Sequence, residues 1–327
     1  MIVVTGASGL VGSNLVRALL DQGQRVRTIV HRDQRGIAGL DVEQSEADIR
    51  DVDSLVRVFK HTKMVFHLAG LISLKQGDWH ESEQINVLGT QNVIEACFQC
   101  KVQRLVFFSS IHSLQQEPKN IPVDESRPLV NSPDYPPYDR SKAAAEMQVR
   151  SAIVRGLDAV IINPTAIMGP YDYKPSFVGS ALIRMATGRI PALVNGGFDW
   201  VDVRDVCEGA IKAGFKARRG DRFLLSGHWA SLKEVAALVD GCTGKHSNKI
   251  VVPYWLAYQT APLMNLLAQV SRSEPLYTKV SLRAVQSNHH ISHVHAADQL
   301  GYSSRPLAQT IADTLKWFQE INYISPL

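Results

Sequence analysis

Tyr138 and Lys142 are the residues of this 327-residue chain whose types and spacing point most directly to catalysis. They stand four residues apart, so they would share one face of a helix, which we predict from Tyr138 to about Val154. A free phenol has a pKa near ~10, and a fixed ammonium beside it favours the phenolate. Such a pair would exchange a proton with a substrate oxygen. A surface pair at chance spacing is the alternative interpretation.

Three glycines near the start of the chain, Gly6, Gly9 and Gly12, have the spacing of a phosphate-binding loop. They follow a short apolar strand predicted at 2–4 and precede a helix predicted through 14–20. Glycine lets the backbone approach a pyrophosphate, and the helix N-terminus supplies N–H donors and a positive dipole end. The pattern predicts a dinucleotide site with contacts from Gly6, Ser8, Gly9, Leu10, Val11 and Gly12.

The elements that must position these residues alternate between strand and helix in the first half of the chain. We predict further strands at 26–30, 64–68, 104–108 and 159–162. This alternation predicts an α/β Rossmann fold, a doubly wound parallel sheet covered on both faces. Residues 1–164 are expected to form that domain, with strands at 200–203 and 223–225 returning to its sheet. Residues 165–327 are expected to form a smaller, mostly helical substrate-binding lobe interleaved with it.

Four motifs along the chain resemble those of the extended short-chain dehydrogenase/reductases, in the NAD-dependent epimerase/dehydratase superfamily. They are TGASGLVGS at 5–13, HLAG at 67–70, NVLGTQNV at 86–93 and NPTAIMGP at 163–170. The resemblance implies an NAD(P)-dependent oxidoreductase in which Ser110 holds the substrate oxygen beside Tyr138 and Lys142. Ser109 and Ser113 are alternatives to Ser110. The cofactor contacts that it implies beyond the glycine loop are Asp48, Ile49, Leu68, Ala69, Gly70, Asn86, Ser109, Tyr138, Lys142, Asn163 and Thr165.

The residues after the second predicted strand distinguish between NADP and NAD. An NAD site needs a carboxylate there for the ribose 2′-OH, whereas this chain has His31 and Arg32, with Asp33 only after them. Arg32, helped by His31 or Arg35, would bind a 2′-phosphate, and a charge-assisted bond of about 1.5–3 kcal/mol would favour NADP by roughly 10–100-fold. We therefore predict NADP(H). NAD is the alternative cofactor, and a solvated basic loop is the alternative interpretation.

Position 198 bears on the substrate. Nucleotide-sugar epimerases and dehydratases of this family usually have an arginine at the corresponding place to clamp a diphosphate, whereas this chain has Phe198. Residues 169–176 look more like dihydroflavonol reductases and 3β-hydroxysteroid dehydrogenases. We expect a ketone or secondary alcohol on a largely apolar small molecule. The alternatives are a nucleotide-sugar epimerase/dehydratase using tightly bound NAD and a non-catalytic, cofactor-binding regulatory protein.

Residues 251–270 carry no charge and are about as long as the ~20 apolar residues of a membrane-spanning helix. Pro253, Pro262 and three polar residues argue against a span. We expect a buried or pocket-lining helix, which would suit a hydrophobic pocket. A peripheral membrane helix is the alternative.

The composition excludes several classes of protein. The net charge is +4, from 35 basic and 31 acidic residues, and no dense basic run indicates nucleic-acid binding. Four cysteines make no disulfide framework in a chain of this length, and no targeting signal opens it, so we expect a cytoplasmic protein. The four histidines in 289–295 lack further ligands nearby, and we predict no metal site. The family resemblance implies a homodimer formed through helices near 86–100 and 138–155.

Overall fold

Strands and helices alternate in the computed structural model, which describes residues 1–30, 33–73, 79–190, 192–245, 249–270 and 278–325, with 263–270 described only as helix. The strands are β1 (Ile2–Thr5), β2 (Val26–Val30), β3 (Glu43–Glu46), β4 (Met64–His67), β5 (Arg104–Phe108), β6 (Ala159–Pro164), β7 (Ala166–Met168), β8 (Ala192–Val194), β9 (Gly197–Asp202), β10 (Arg222–Leu225), β11 (His228–Ser231) and β12 (Ile250–Val252). The helices are α1 (Leu10–Asp21), α2 (Val52–Phe59), α3 (Trp79–Ser82), α4 (Gly89–Gln99), α5 (Pro137–Val154), α6 (Phe177–Ala186), α7 (Val203–Lys216), α8 (Leu232–Thr243), α9 (Tyr254–Val270), α10 (Lys279–Val285), α11 (Val294–Leu300) and α12 (Leu307–Glu320). Glu83–Leu88 continues the helix between α3 and α4 with π-type turns.

The central sheet has seven strands in the order β3-β2-β1-β4-β5-β6-β10. Every neighbouring pair is parallel. The strand order reverses between β1 and β4, and open sheets of this kind bind ligands in the crevice at the carboxyl ends of the strands beside that switch point. The predicted α/β Rossmann fold is confirmed.

Helices cover both faces of this sheet, and each face has its own apolar core. On one face α1 and α7 bury Leu15 and Val206 against the sheet. On the other face α2, α4 and α5 bury Leu55, Val93 and Val149. Because inner strands are buried on both faces, they appear in the sequence as continuous apolar runs, which is why they could be predicted.

The prediction that residues 200–203 return to the central sheet is wrong. They belong to β9, which lies in a separate three-stranded sheet, parallel to β7 and antiparallel to β11. The chain turns directly from β9 into α7, with the Asp202 side chain accepting from the N–H of Arg204 as a helix cap. β10 then takes the open edge beside β6, so the prediction holds for 223–225 alone.

β3 is a strand of the central sheet that the sequence pattern does not predict. Its four residues, at 43–46, are all polar or charged and mostly exposed. It pairs with β2 at the edge of the sheet. An edge strand is held by backbone hydrogen bonds and needs no apolar alternation, so hydrophobic periodicity gives no signal for it.

The second lobe combines helices with two small sheets, so it contains more strand than predicted. Its core includes Leu182, Trp200 and Leu315. The lobe contacts the first domain through Arg17 of α1, whose guanidinium lies 4.2 Å from the ring centroid of Tyr171. Arg17 also donates to the backbone oxygens of Ser13 and Gly36, which fixes its orientation.

The uncharged stretch 251–270 forms the end of β12 and the helix α9. Within the described parts of the chain, none of the helices is long and apolar enough to cross a membrane. Trp255 and Leu256 of α9 are exposed, whereas Ala257 and Ala261 are buried. The described part of α9 therefore has one exposed and one buried side, and its Tyr254 lines the cavity, in part as the pocket-lining prediction expected.

Candidate active site

Ser110, Tyr138 and Lys142 come together at the carboxyl end of the central sheet. Ser110 lies just after β5, and Tyr138 lies in the first turn of α5, which starts at Pro137, a residue well suited to that position. The Ser110 side chain lies close enough to the Tyr138 phenol to favour its ionised form, and Lys142 Nζ donates to the backbone oxygen of Phe108 at 2.6 Å. All three predicted residues line one cavity of 930 Å³.

Burial sets the proton affinities of this group. It raises the pKa of the Tyr138 phenol to about 12, although the hydrogen bond with Ser110 acts in the opposite direction. Burial also lowers the pKa of the Lys142 ammonium to about 8, against the attraction of Glu146. The sequence led us to expect a lowered phenol pKa, but desolvation is the larger effect in the protein alone. Tyr138 is therefore protonated at neutral pH.

Ser110 is the serine whose hydroxyl lies next to Tyr138. The hydroxyl of Ser109 instead donates to the carboxylate of Glu146 at 2.7 Å. Ser113 is fully buried, with its hydroxyl 2.8 Å from the backbone oxygen of Ser110. The geometry thus favours Ser110 over both alternatives, because the other two hydroxyls point into the protein.

The glycine loop has the shape of a pyrophosphate site. Gly6 has a left-handed backbone conformation, with φ of +69°, and a Cβ on Gly12 would lie 2.1 Å from the oxygen of Gly6. α1 begins directly after the loop, and Gly9, which precedes it, has no side chain to cap the helix. The first turn of α1 contains no acidic residue and lines the cavity. Its N–H groups and positive dipole end therefore fit the anionic part of a nicotinamide dinucleotide.

The predicted cofactor residues differ in whether they line the cavity. Those that do are Gly6, Gly9, Leu10, Val11, Gly12, Leu68, Gly70, Asn86, Ser109, Tyr138, Lys142 and Thr165. Those that do not are Ser8, Asp48, Ile49, Ala69 and Asn163. The carboxylate of Asp48 pairs with Arg50, and Asn163 is fully buried behind the site. Direct contacts of both sets of residues with a cofactor stay predictions.

Asn86 connects the segment after β4 to α5. Its Nδ2 donates to the backbone oxygen of Leu71 and to Ser141 Oγ, each at 2.9 Å. Its Oδ1 accepts from the backbone N–H of Leu71 at 2.7 Å. These bonds hold the cavity wall at Gly70 against the helix that carries Tyr138.

Two residues predicted to choose the cofactor, His31 and Arg32, lie outside the described residues. The next residues, from Asp33 on, are described, and they include the first carboxylate after β2. Asp33 accepts two hydrogen bonds from the guanidinium of Arg35, at 3.0 and 2.7 Å. This pairing lowers the pKa of Asp33 to about 2. The first carboxylate that follows β2 in the sequence is thus already engaged by a cation.

The rest of the cavity wall carries both apolar and charged side chains. The apolar ones include Leu71, Ile72, Ile167, Phe177, Val178, Phe198, Tyr254 and Val280. The charged ones are Glu117, Lys119, Asp134, Asp139, Asp172, Lys174 and Arg283. Phe198 lines the cavity with its ring edge-on to Trp200, at 5.1 Å between centroids. Arg283 donates to the backbone oxygen of Asp134 at 2.7 Å.

The sequence analysis did not predict three polar residues of the site, Glu146, His112 and Asp139. Glu146 is fully buried four residues beyond Lys142, and this spacing of four was a usable signal. His112 and Asp139 both line the cavity, with His112 Nδ1 3.8 Å from Asp139 Oδ1. They come from different elements, so no local pattern pairs them. Burial raises the pKa of Asp139.

Among the described residues, no group of three or more His, Cys, Asp and Glu side chains is arranged to hold a metal ion. The histidine-rich segment serves packing and hydrogen bonding instead. His293 shares a hydrogen bond with Ser226 at 2.8 Å, His295 stacks on Phe223, and His289 lies against Trp229.

Several known proteins are similar to this chain over nearly its whole length. Sterol demethylase protein B of Methylococcus capsulatus is 33% identical over 324 residues, covering 97% of this chain and 98% of that protein. A dihydroflavonol 4-reductase-like protein of Synechocystis is 32% identical over 329 residues, covering 98% and 95%. The crystal structure of gox2253 has a TM-score of 0.88 at 30% identity, covering 99% of both chains.

A family profile described as the NAD dependent epimerase/dehydratase family matches residues 2–224. That range contains the glycine loop, the Ser110–Tyr138–Lys142 group and all of the central sheet except Leu225, the last residue of β10. This chain therefore belongs to the NAD-dependent epimerase/dehydratase family, within the extended short-chain dehydrogenase/reductases, and is an NAD(P)-dependent oxidoreductase.

Proposed function

We propose that this protein is an NADP(H)-dependent oxidoreductase that reduces a ketone, or oxidises a secondary alcohol, on a largely apolar small molecule. The observation that carries the proposal is Phe198, which lines the same cavity as Tyr138, Lys142 and Ser110. An aromatic ring there offers apolar surface in place of a charged clamp for phosphate. The names of the two relatives, a sterol demethylase protein and a dihydroflavonol reductase-like protein, support substrates of this kind.

Proton transfer falls to Tyr138. With its pKa raised to about 12, the phenol is protonated at neutral pH and can give its proton to a carbonyl oxygen as that oxygen gains charge. Ser110, whose side chain lies beside the phenol, is placed to hold the same oxygen. The Lys142 ammonium stabilises the resulting phenolate. Hydride transfer at the neighbouring carbon would be the chemistry that a nicotinamide cofactor supplies when bound.

The preference for NADP rests on the end of β2. Arg32, with His31 beside it in the sequence, would bring a positive charge to a 2′-phosphate, and the pairing of Asp33 with Arg35 leaves that carboxylate less suited to a ribose 2′-OH. A 2′-phosphate would gain charge-assisted bonds that a 2′-OH cannot make. NAD is the alternative, in keeping with the family's description.

A nucleotide-sugar epimerase/dehydratase using tightly bound NAD is the second candidate function. It is favoured by two of the cations in the cavity wall, Lys174 and Arg283. A diphosphate bound there would draw on these two side chains rather than on position 198. Arg283 already donates to the oxygen of Asp134, which reduces but does not abolish its capacity for phosphate.

A substrate panel tests the proposal. Apolar ketones and UDP- and dTDP-sugars are incubated with the purified protein, NADPH oxidation is followed by absorbance, and products are analysed for the redox-neutral case. We expect NADPH oxidation with apolar ketones and a lower dissociation constant for NADP⁺ than for NAD⁺. Epimerised sugar without net NADPH oxidation would establish the second candidate instead. Bound cofactor with no turnover across the panel would indicate the non-catalytic alternative.

A further inference from the structure

Glu146 is a buried carboxylate that the proposed mechanism does not use. It is fully buried in α5, one turn beyond Lys142. Its Oε2 lies within hydrogen-bonding distance of three donors, namely Ser109 Oγ at 2.7 Å, Ser113 Oγ at 3.0 Å and Asn163 Nδ2 at 3.0 Å. A carboxylate with this many partners inside a protein is costly to disturb, because each donor would lose its acceptor.

The second oxygen of Glu146 faces two cations. Oε1 accepts from Arg150 at 2.6 Å and from Arg222 at 3.2 Å. Burial alone would raise the pKa of Glu146, but the hydrogen bonds and the two guanidinium groups hold it below its usual value. The residue is therefore a carboxylate anion at neutral pH, with its charge compensated on the side away from the cavity.

Asn163 and Ser113, which lie against Glu146 Oε2, also hold the segment that carries Ser110, and the single hydroxyl proton of Ser113 serves one of its two acceptors at a time. Ser113 Oγ is 2.8 Å from the backbone oxygen of Ser110, and Asn163 Nδ2 donates to that same oxygen at 3.0 Å. Glu146 thus ties residues 109–113, at the end of β5, to the helix that carries Tyr138 and Lys142. The relative position of the Ser110 hydroxyl and the Tyr138 phenol depends on this connection.

Glu146 also acts on Lys142 through its charge. The two side chains are one helical turn apart, both are buried, and the carboxylate raises the pKa of the ammonium against the effect of burial. The described hydrogen bond of the Lys142 ammonium goes to the backbone oxygen of Phe108 and not to a carboxylate. Glu146 therefore acts on Lys142 through its charge and not through a direct bond.

We propose that Glu146 is a positioning residue for the active site: it fixes Ser110 relative to Tyr138 through Ser113 and Asn163, and it keeps Lys142 in its cationic form. The inference rests on the proposed function for its kinetic consequence. Its structural part, the influence of Glu146 on Lys142, can be measured without turnover.

The first test uses Glu146→Gln, which keeps the size of the side chain and removes its charge. The ε-carbons of ¹³C-labelled lysine are followed by NMR as a function of pH, and Lys142→Arg assigns the signal. We expect the pKa of Lys142 to fall in Glu146→Gln and to stay unchanged in Ser113→Ala, which leaves the carboxylate in place. An unchanged Lys142 titration in a folded Glu146→Gln protein would overturn this part of the proposal.

The second test is kinetic and uses the same two variants with the double variant. Displacement of Ser110 should lower kcat by about 10- to 100-fold in each single variant, with little change in cofactor affinity. The two losses should not add in the double variant, because both act through one connection. The basic limb of the kcat–pH profile should move to lower pH in Glu146→Gln alone.

Two results would overturn the kinetic part. One is wild-type kcat and pH profile in Glu146→Gln with only a lower melting temperature, which indicates a purely structural role. The other is fully additive losses in the double variant. If Glu146→Gln does not fold, Ser113→Ala and Asn163→Ala decide together, since wild-type kcat in both variants refutes the connection. A wild-type protein with no turnover but a Glu146-dependent Lys142 titration would contradict the proposed function and leave the influence of Glu146 on Lys142 supported.

Discussion

Burial shifts the pKa values of three residues in or next to the cavity more than neighbouring charges do. Tyr138 and Lys142 are both shifted toward their neutral forms, with pKa values of about 12 and about 8. His67, at the end of β4, shows the same effect, because burial lowers its pKa to about 3. Its ring is held between Thr5 and Thr90 at 2.8 and 3.1 Å. Desolvation therefore places three titrating groups of this site outside their ordinary ranges.

Tyr138→Phe is expected to remove most turnover while the protein still binds its cofactor. The phenol is the group placed to transfer a proton, and loss of such a group typically costs about 10²–10⁴ in rate. Turnover of the best ketone from the panel and the dissociation constant for NADP⁺ are measured together. Tyr323→Phe, outside the cavity, is the matched control. Near-normal activity in Tyr138→Phe would refute the assignment.

Phe198→Arg is expected to shift the cavity toward phosphate-containing ligands. A guanidinium there would gain about 1.5–3 kcal/mol from a charge-assisted bond to a diphosphate, or roughly 10–100-fold in affinity for UDP. The same change should weaken binding of apolar ketones. UDP affinity is measured by calorimetry in the wild type and the variant. Equal affinity in both would show that position 198 does not contribute to substrate choice.

His67 should make the protein sensitive to acid. Its folded pKa is lowered to about 3 from an ordinary 6.5, so the unfolded chain takes up a proton before the folded one does as the pH falls. Stability from this residue is complete above pH 6.5 and is lost progressively toward pH 3, with about 3 kcal/mol lost by pH 4. The difference in unfolding free energy between wild type and His67→Gln should therefore shrink from pH 7 to pH 4. Urea denaturation measures it, with the exposed His80→Gln as control, and a constant difference would contradict the assignment.

The strands and helices position the site because several of them end at the same edge of the central sheet. β1, β4 and β5 stop at the same edge of the sheet, and the segments after them supply the glycine loop, the wall at 68–72 and Ser110. α5 brings Tyr138 and Lys142 to that edge from one face of the sheet. Close backbone packing at the loop makes this arrangement possible, since Gly12 leaves no room for a side chain.

Gly12→Ala is expected to weaken cofactor binding and lower stability. The new methyl group would lie 2.1 Å from the oxygen of Gly6, and overpacking of this kind costs about 1–3 kcal/mol. Gly241→Ala in α8 is the matched control, because a Cβ there would meet nothing within 4 Å. That variant should gain about 0.5–1 kcal/mol, as alanine does over glycine inside a helix. Melting temperatures and NADP⁺ binding are compared, and unchanged NADP⁺ binding in Gly12→Ala would argue against a phosphate role for the loop.

The whole molecule combines a dinucleotide domain with a lobe that closes the cavity. α7 and β10 return to the first domain after the lobe has begun, so neither part is a continuous segment of the chain. The outer helices leave apolar residues exposed, among them Leu88 at 39% and Met147 at 57%. Met147 lies in α5 and Leu88 precedes α4, the helices through which the family resemblance implies a homodimer.

Met147→Glu is expected to weaken that dimer. A carboxylate buried without a partner at an interface reduces the free energy of association by roughly 3–5 kcal/mol. Light scattering after size-exclusion chromatography gives the mass of the wild type and the variant. Phe215→Glu in α7, where the phenylalanine is 49% exposed, is the control for a charge placed on another apolar surface position. A dimer that survives Met147→Glu, or one lost equally in both variants, would place the interface elsewhere.

The sequence alone determined the features that are local. The glycine loop is a turn between adjacent elements, Tyr138 and Lys142 share one helix, and inner strands are apolar on both faces, so short-range pattern was sufficient for each. The edge strand β3 has no apolar face to display, and β9 pairs with β7 and β11 in a separate sheet, which its own apolar pattern does not reveal. Only the tertiary structure decided where β3 and β9 pair, that His112 lies beside Asp139, and that the pKa of Tyr138 is raised rather than lowered. Each depends on groups brought together from distant parts of the chain, and on water excluded when they meet.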